Sequence, residues 1–313
     1  MLNLIKINGG DKVDNYIEIL KKVRDKLEAN GYDVAYVCLY GSQNYNLDLY
    51  NANYKSDIDV KAFIIPTLKQ LISNSKPVST ILEGLDIIDG QIDLKDIRVF
   101  TETLMKGNPT YIEALYAKYY VFGSSSITEK FMQKLLDNKT ALVKALEPNI
   151  IKAIYGMAKE KEKALCHPYP SIIDKIEKYG YDSKQLSHII RLKYLMEDYF
   201  LNDIDYGDAL WFKSEDKRRQ FLLDVKQNIY TLEDAKKYCD DYINSLTIMK
   251  NTLQENIEKK IHNGEYDFSI KTILENEISQ MVYEYIIDNF EYGSAIYRNL
   301  AYHISQKLNI EKM

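Results

Sequence analysis

The chain has 313 residues, a net charge of −5, a hydrophobic fraction of 46% and a charged fraction of 28%. This length and composition predict one large or two ordinary domains with a real hydrophobic core. The acidic balance argues against nucleic-acid binding through a strongly basic surface, although it leaves room for a local basic groove. Three scattered cysteines without a CxxC motif argue against a disulfide framework or a zinc site. No signal peptide or long apolar run is present, so we expect a cytoplasmic protein with no membrane partner.

The first predicted elements are a helix and a strand. Residues 11–30 repeat apolar side chains at helical spacing and end in an Asn-Gly stop signal. The apolar run 34–40 then predicts a strand, which ends in Gly41 and Ser42. Glycine permits unusual dihedrals and close approach, so the backbone N–H groups of Gly41 and Ser42 are candidates for binding phosphate.

Two aspartates, Asp57 and Asp59, open the next predicted strand, which continues through the apolar run 60–65. Residues two apart on a strand point to the same face, so the two carboxylates are expected side by side. Adjacent negative charges repel unless a cation lies between them, and hard oxygen ligands suit Mg²⁺ or Mn²⁺. Taken alone, the SDID segment is equally compatible with a solvated strand edge. Together with Gly41 and Ser42, it indicates the chemistry of a nucleoside triphosphate.

A short helix is predicted at residues 67–74 and a β-hairpin after it. Two apolar runs flank Asp89 and Gly90, which is a strong hairpin pattern. In the second arm Asp93 alternates with apolar neighbours, whereas Asp89 is interpreted as a turn residue and Asp96 as the start of a helix.

Helical patterns dominate from residue 96 onward. Residues 96–107 predict an amphipathic helix, and Asn108 with Pro109 begins another. The segment VFGSSSIT at 121–128 turns small and polar, which predicts a boundary between domains 1–125 and 126–313. The resulting fold class is α+β, with a mixed-sheet domain followed by a helical bundle.

One predicted helix of the second half carries three cationic residues. Lys184, His188 and Arg191 are spaced four and three apart, so they share a helix face, with Asp182 or Ser183 as the N-cap. Such a face suits a triphosphate or an acceptor backbone. The alternative is a capped, solvated helix face.

Three ordered motifs resemble one family. GSQNYNL…SDIDVKAFIIP, DLKDIRVF…KGNPTYIEAL and YGYDSKQLSHIIRL are similar to the DNA polymerase β nucleotidyltransferase superfamily, and more narrowly to its RNA-repair-pathway polymerase β-like family of bacteria and phages. The resemblance covers most of residues 30–250. It departs from the family pattern at Asn46, where relatives often carry glycine, and at Gln185, where they often carry histidine.

The resemblance implies a nucleotidyltransferase that moves a nucleoside monophosphate from an NTP to an acceptor hydroxyl and releases pyrophosphate. It implies Mg²⁺ or Mn²⁺ held by three catalytic carboxylates, with Asp93 as the best candidate for the third beside Asp57 and Asp59. The residues expected to bind the nucleotide are Gly41, Ser42, Tyr45, Lys184, His188 and Arg191.

The acceptor stays open at this point. An RNA 3′ end is the first candidate, and a small-molecule or AMPylation-type protein hydroxyl is the second. An interpretation of a different class is an antitoxin-like regulator that binds nucleotide without chemistry. Near the C-terminus, RNLAYH at residues 298–303 resembles the catalytic motif of HEPN ribonucleases, but the motif is so short that chance is the better explanation.

Overall fold

A mixed five-stranded sheet forms the centre of the N-terminal half. The computed structural model describes residues 11–50 and 55–289. Its strands are β1 (Asp33–Tyr40), β2 (Asp59–Ile65), β3 (Ser79–Glu83), β4 (Gln91–Asp96) and β5 (Tyr120–Phe122). Their spatial order is β3-β4-β2-β1-β5, with β2 and β4 parallel and the other neighbours antiparallel. The expectation of an α+β fold with a mixed sheet is therefore confirmed.

The four helices predicted for the sheet half are observed, and the described chain after residue 125 is helical as expected. Those of the sheet half are α1 (Asp11–Ala29), α2 (Leu68–Ile72), α3 (Ile97–Met105) and α4 (Pro109–Leu115). Those that follow are α5 (Ser126–Asp137), α6 (Lys139–Ala164), α7 (Ile173–Tyr179), α8 (Ser183–Phe200), α9 (Tyr206–Leu210), α10 (Lys217–Lys226), α11 (Leu232–His262) and α12 (Ser269–Asn289). From residue 126 to 289 the chain contains helices and no strand.

Side-chain caps explain why several of these helices begin where the sequence indicates. Asp96 accepts a hydrogen bond from the Arg98 amide at the start of α3, and Asp182 accepts one from the Lys184 amide at the start of α8. Thr231 and Asp234 form a reciprocal capping box at the start of α11.

The two faces of the sheet bury different partners because side chains alternate along each strand. One face packs against α1 through a cluster that includes Leu20, Val23 and Leu27. The other face contributes Tyr36 and Phe63 to a larger cluster that continues through α6, α8 and α11 to α12. The predicted boundary near residue 125 thus lies within one continuous hydrophobic cluster, and the division into two domains stays a prediction.

The last described helix, α12, also contacts the sheet. Helix α12 packs against α5 and α6, and the Tyr285 hydroxyl donates to Asp33 Oδ1 over 2.8 Å at the start of β1. None of the helices within 11–50 and 55–289 combines the length and apolar character needed to cross a membrane.

A substitution at Phe100 tests how much the contact between the sheet and α3 contributes to stability. It is fully buried, and its ring centroid lies 4.3 Å from that of Phe63 on β2. Phe100→Ala is expected to lower the free energy of unfolding by about 3–5 kcal/mol, since it removes a large apolar side chain and leaves a cavity. Urea denaturation measures the change, and Ile248→Ala, at a side chain exposed by 69% on α11, is the control that should change stability by less than about 0.5 kcal/mol.

Candidate functional site

Two glycines enclose the carboxylate of Asp59, the first residue of β2. A Cβ on Gly41, whose φ is +83°, would lie 3.4 Å from Asp59 Oδ2, and a Cβ on Gly90 would lie 2.7 Å from Oδ1. The Gln91 amide donates to the same Oδ1 over 3.1 Å. The carboxylate is therefore held in a fixed orientation at the end of the sheet, with a close backbone approach that only glycine allows at Gly90 and a positive φ that favours glycine at Gly41.

Asp57 lies two residues earlier, before β2 begins, so the prediction that both aspartates belong to the strand is wrong for Asp57. Its side chain is largely exposed, and other carboxylates lie near its partly buried carboxyl group. Burial, followed by the negative charges of Asp89 and Asp59, raises the pKa of Asp57, while Lys55 and Lys184 oppose the shift. The side chain of Gln43 donates to the Asp57 carbonyl oxygen over 2.6 Å and so fixes the backbone there. Carboxylates that repel one another in this way suit a divalent cation, as the sequence analysis predicts for Asp57 and Asp59.

Asp89 also contacts the segment that carries Asp57 and Asp59, which the sequence does not indicate. It lies in the turn between β3 and β4, as expected, but its Oδ1 accepts the Ile58 amide over 3.1 Å and its Oδ2 pairs with Lys55. The Ile58 amide lies between the two predicted metal ligands. No local pattern could reveal this contact, because it joins residues 31 positions apart.

Asp93 is placed on β4 as predicted, but both of its oxygens are engaged. It stands in register with Lys61 of the parallel strand β2. Lys61 Nζ lies 2.7 Å from its Oδ2 and Lys95 Nζ lies 2.8 Å from its Oδ1. Burial opposes the shift, yet attraction to these two lysines lowers the pKa of Asp93.

The carboxylates fit a metal only in part. Within residues 11–50 and 55–289, no three His, Cys, Asp or Glu side chains converge as a group able to hold a metal ion. The donor chemistry of Asp57 and Asp59 fits one cation, and the role of Asp93 as third ligand stays a prediction.

The segment Gly41–Tyr45 forms a 3₁₀ turn directly after β1. The first amides of any helical turn have no acceptor within it, which agrees with a phosphate-binding role for Gly41 and Ser42. Asn46 follows with a φ of 60°, so this asparagine adopts the left-handed conformation that glycine would provide. The departure from the family pattern at Asn46 is thus compatible with the turn.

Tyr45, the last residue of the turn, contacts Arg191 of α8. Arg191 stacks on the Tyr45 ring at 3.8 Å from its centroid and donates to Glu113 Oε1 over 2.8 Å, while the Tyr45 hydroxyl donates to Glu113 Oε2. The side chains of Arg191 and Glu113 are exposed by only 8% and 2%. The structure therefore gives both residues internal partners, and their predicted contact with nucleotide stays a prediction.

Lys184 and His188 lie on the first half of α8, before Arg191. Lys184 is exposed on the first turn of α8, and its charge acts on Asp57. Burial, followed by the positive charges of Arg191, Lys184, Lys161 and Lys226, holds the pKa of His188 well below its ordinary value. His188 is therefore a neutral imidazole at pH 7 within a cationic cluster.

Lys226, the last residue of α10, is, like Lys161, a member of this cluster that sequence reasoning missed. Its Nζ donates to the Leu47 carbonyl oxygen over 2.8 Å, just after the 3₁₀ turn. Arg219 of the same helix donates to the Asn46 carbonyl oxygen over 2.7 Å. Helix α10 thus reaches the loop between β1 and β2, a contact that spans more than 170 residues and has no local sequence pattern.

Comparisons of the chain with protein-family models, with curated proteins and with solved structures find no match. The functional argument therefore depends on the motifs and on the geometry described above. Arg298 and His303 of the RNLAYH motif lie outside the described residues.

The Glu113–Arg191 pair gives a stability prediction. Glu113→Gln leaves the buried Arg191 guanidinium without its counter-ion, so the free energy of unfolding should fall by about 3–5 kcal/mol in urea denaturation. Glu102→Gln is the matched control, because Glu102 pairs with Lys106 and both side chains are 69% exposed. That variant should unfold like the wild type. Equal effects of the two substitutions would contradict the structural role assigned to the Glu113–Arg191 pair.

Proposed function

We propose that the chain is a metal-dependent nucleotidyltransferase, which moves a nucleoside monophosphate from an NTP to an acceptor hydroxyl and releases pyrophosphate. The observation that carries the proposal is the placement of opposite charges at one end of the sheet. Asp57 and Asp59 form a negative pole, and Lys184 beside His188 and Lys226 forms a positive one. A triphosphate with its metal ion needs both poles next to each other.

The residues at the negative pole have distinct tasks. Asp59 is oriented by the Gln91 amide and enclosed by Gly41 and Gly90, so its oxygens are held ready for a cation. Asp57 carries a charge that is unfavourable in the free protein and is relieved when a cation binds. Mg²⁺ or Mn²⁺ bound there would neutralise phosphate charge and lower the pKa of the attacking hydroxyl.

The residues at the positive pole hold the nucleotide. The Lys184 ammonium is exposed and close enough to influence Asp57, so it suits a phosphate oxygen that also faces the metal. Neutral His188 can accept or donate one hydrogen bond without adding charge. Among acceptors, an RNA 3′ end is the first choice from the family resemblance, and a small-molecule or protein hydroxyl is the second.

One observation favours a second candidate function, a nucleotide-binding regulator without catalysis. Both oxygens of Asp93 are paired with Lys61 and Lys95, which leaves two carboxylates rather than three at the predicted metal site. Tight nucleotide binding without metal-dependent turnover is the expected behaviour of such a regulator.

Transfer of label tests the proposal. The protein is incubated with each α-³²P-labelled NTP and Mg²⁺ or Mn²⁺, with and without total RNA. Label in RNA supports polynucleotide transfer, label on protein supports AMPylation-type chemistry, and nucleotide binding with no transferred label supports the regulator. Asp57→Asn should abolish transfer, whereas Asp86→Asn, in the exposed β3–β4 turn, should not. Full activity of the Asp57 variant would contradict the metal assignment.

Asp57→Asn should also fold well. The pKa of Asp57 is raised in the folded protein, so the stability linked to this group is complete below its ordinary pKa and is lost as pH rises through the raised value. At pH 7 the variant should therefore be at least as stable as the wild type, and the two should converge near pH 3. Thermal melts at both pH values measure this difference.

Gly90→Ala tests the enclosure of Asp59. The added Cβ would meet Asp59 Oδ1 at 2.7 Å and come still closer to the Ile58 carbonyl oxygen, so the carboxylate must move. We expect weaker Mn²⁺ binding, followed by electron paramagnetic resonance, and a loss of about 1–3 kcal/mol in stability. Gly156→Ala, which meets no atom within 4 Å on α6, should leave Mn²⁺ binding unchanged.

A further inference from the structure

The side chain of Gln43 connects the 3₁₀ turn after β1 with the loop that precedes β2. It is buried, with only 3% of its surface exposed. Its Nε2 donates to the Asp57 carbonyl oxygen over 2.6 Å and to the Tyr50 hydroxyl over 3.3 Å. Its Oε1 accepts a hydrogen bond from Ser42 Oγ over 3.4 Å. One buried amide therefore contacts both a residue predicted to bind phosphate, Ser42, and a residue predicted to bind the metal ion, Asp57.

The two arms of the connection between β1 and β2 are paired with each other. The Leu49 amide donates to Ser56 Oγ over 3.0 Å, and the Ser56 amide donates to the Leu49 carbonyl oxygen over 2.9 Å. Tyr50 and Lys55 form an antiparallel bridge next to this pair. Because the Gln43 amide contacts both arms, it fixes the position of the paired arms relative to the 3₁₀ turn.

Different contacts position the backbones of the two predicted metal ligands. Asp59 is paired with Tyr40 in the ladder between β1 and β2, so the sheet fixes its backbone. Asp57 lies before the strand, and its carbonyl oxygen is bound by the Gln43 side chain. The carbonyl group and the side chain of a residue share one Cα, so an anchored carbonyl restricts where the carboxylate can lie. The separation of the two carboxylates therefore depends on the Gln43 contact.

We propose that Gln43 is a positioning residue, which orients Asp57 for a divalent cation and couples it to the phosphate-binding end of the turn; this assignment rests on the proposed function. Hydrogen bonds that orient a metal ligand contribute about 10–100-fold to metal affinity. Ser42 contacts Oε1 and the Asp57 carbonyl contacts Nε2 of the same planar amide. A change in the position of the Ser42 hydroxyl therefore rotates the amide and changes its contact with Asp57.

The test is binding of Mn²⁺ in the absence of nucleotide, followed by electron paramagnetic resonance. Gln43→Met keeps the length of the side chain and removes both polar atoms, so the Mn²⁺ dissociation constant should rise about tenfold or more. Gln43→Asn is the milder second variant. It keeps the amide but is shorter by one methylene group, so it should give a smaller rise in the same direction. Circular dichroism confirms that each variant is folded.

Asn149→Leu on α6 is the matched control. The Asn149 side-chain amide also donates to a carbonyl oxygen of another element, that of Met105 at the end of α3, over 3.4 Å. Its loss should reduce stability, as the loss of the Gln43 contacts does, but should leave Mn²⁺ affinity unchanged. Equal losses of Mn²⁺ affinity in Asn149→Leu and Gln43→Met would mean that the role of Gln43 is only structural.

Ser42→Ala tests the coupling through the amide, because it removes the donor to Gln43 Oε1. In the wild-type background it should raise the Mn²⁺ dissociation constant about twofold or more, although Ser42 is not a predicted metal ligand. In the Gln43→Met background the same substitution should have no further effect. Equal effects in both backgrounds would contradict the coupling.

The outcomes separate this assignment from the proposed function. If Gln43→Met and Gln43→Asn bind Mn²⁺ as the wild type does while the wild type transfers label, the assignment of Gln43 is wrong and the transferase proposal stands. If Mn²⁺ affinity depends on Gln43 but the wild type transfers no label to any acceptor, the positioning role stands and the transferase proposal fails. If the wild type binds no Mn²⁺, both are wrong.

Discussion

The buried ion pair between Glu113 and Arg191 is the interaction on which the rest of the site depends. Glu113 belongs to α4 beneath the sheet, and Arg191 belongs to α8 of the helical half. Tyr45 closes the group by donating to Glu113 and stacking under the guanidinium. Because a buried charge without its partner is costly, the two halves of the chain and the 3₁₀ turn must adopt one relative arrangement.

That arrangement brings two poles of opposite charge together. The turn joins β1 to the loop that α10 contacts, and Gln43 within it fixes the Asp57 backbone. Asp57 is therefore within the electrostatic reach of Lys184 on α8. Burial, followed by Asp89 and Asp59, raises the pKa of Asp57, and burial, with Lys184 and Arg191, lowers that of Lys226. A ligand that carries a metal ion and phosphates would favour the charged forms of both Asp57 and Lys226.

The ion pairs of Asp93 with Lys61 and Lys95 limit its availability as a metal ligand. Lys61 is almost fully buried and lies over the Tyr40 ring, 4.2 Å from its centroid, so its ammonium has little room to leave Asp93. A metal ion that used Asp93 would have to compete with two ion pairs. This competition, rather than the absence of a carboxylate, would be the physical reason for a site that binds nucleotide without catalysis.

The sequence by itself determined the local elements and the residues at the strand ends. Continuous apolar runs predicted β1 and β2, turn residues predicted the β3–β4 hairpin, and two helix starts were indicated by Asp96 and by Asp182 or Ser183. The pair Asp57 and Asp59 and the glycine before the turn could be identified in the same way, because each depends on neighbours a few residues away.

Only the tertiary structure decided which charges meet. The spacing of Lys184, His188 and Arg191 predicted one shared helix face, but packing against α4 turned Arg191 inward to Glu113. Strand register paired Asp93 with Lys61, and helix packing brought Lys226 to Leu47. Periodicity reports which face of an element is buried, whereas ion pairs between elements depend on register and packing between segments far apart in sequence.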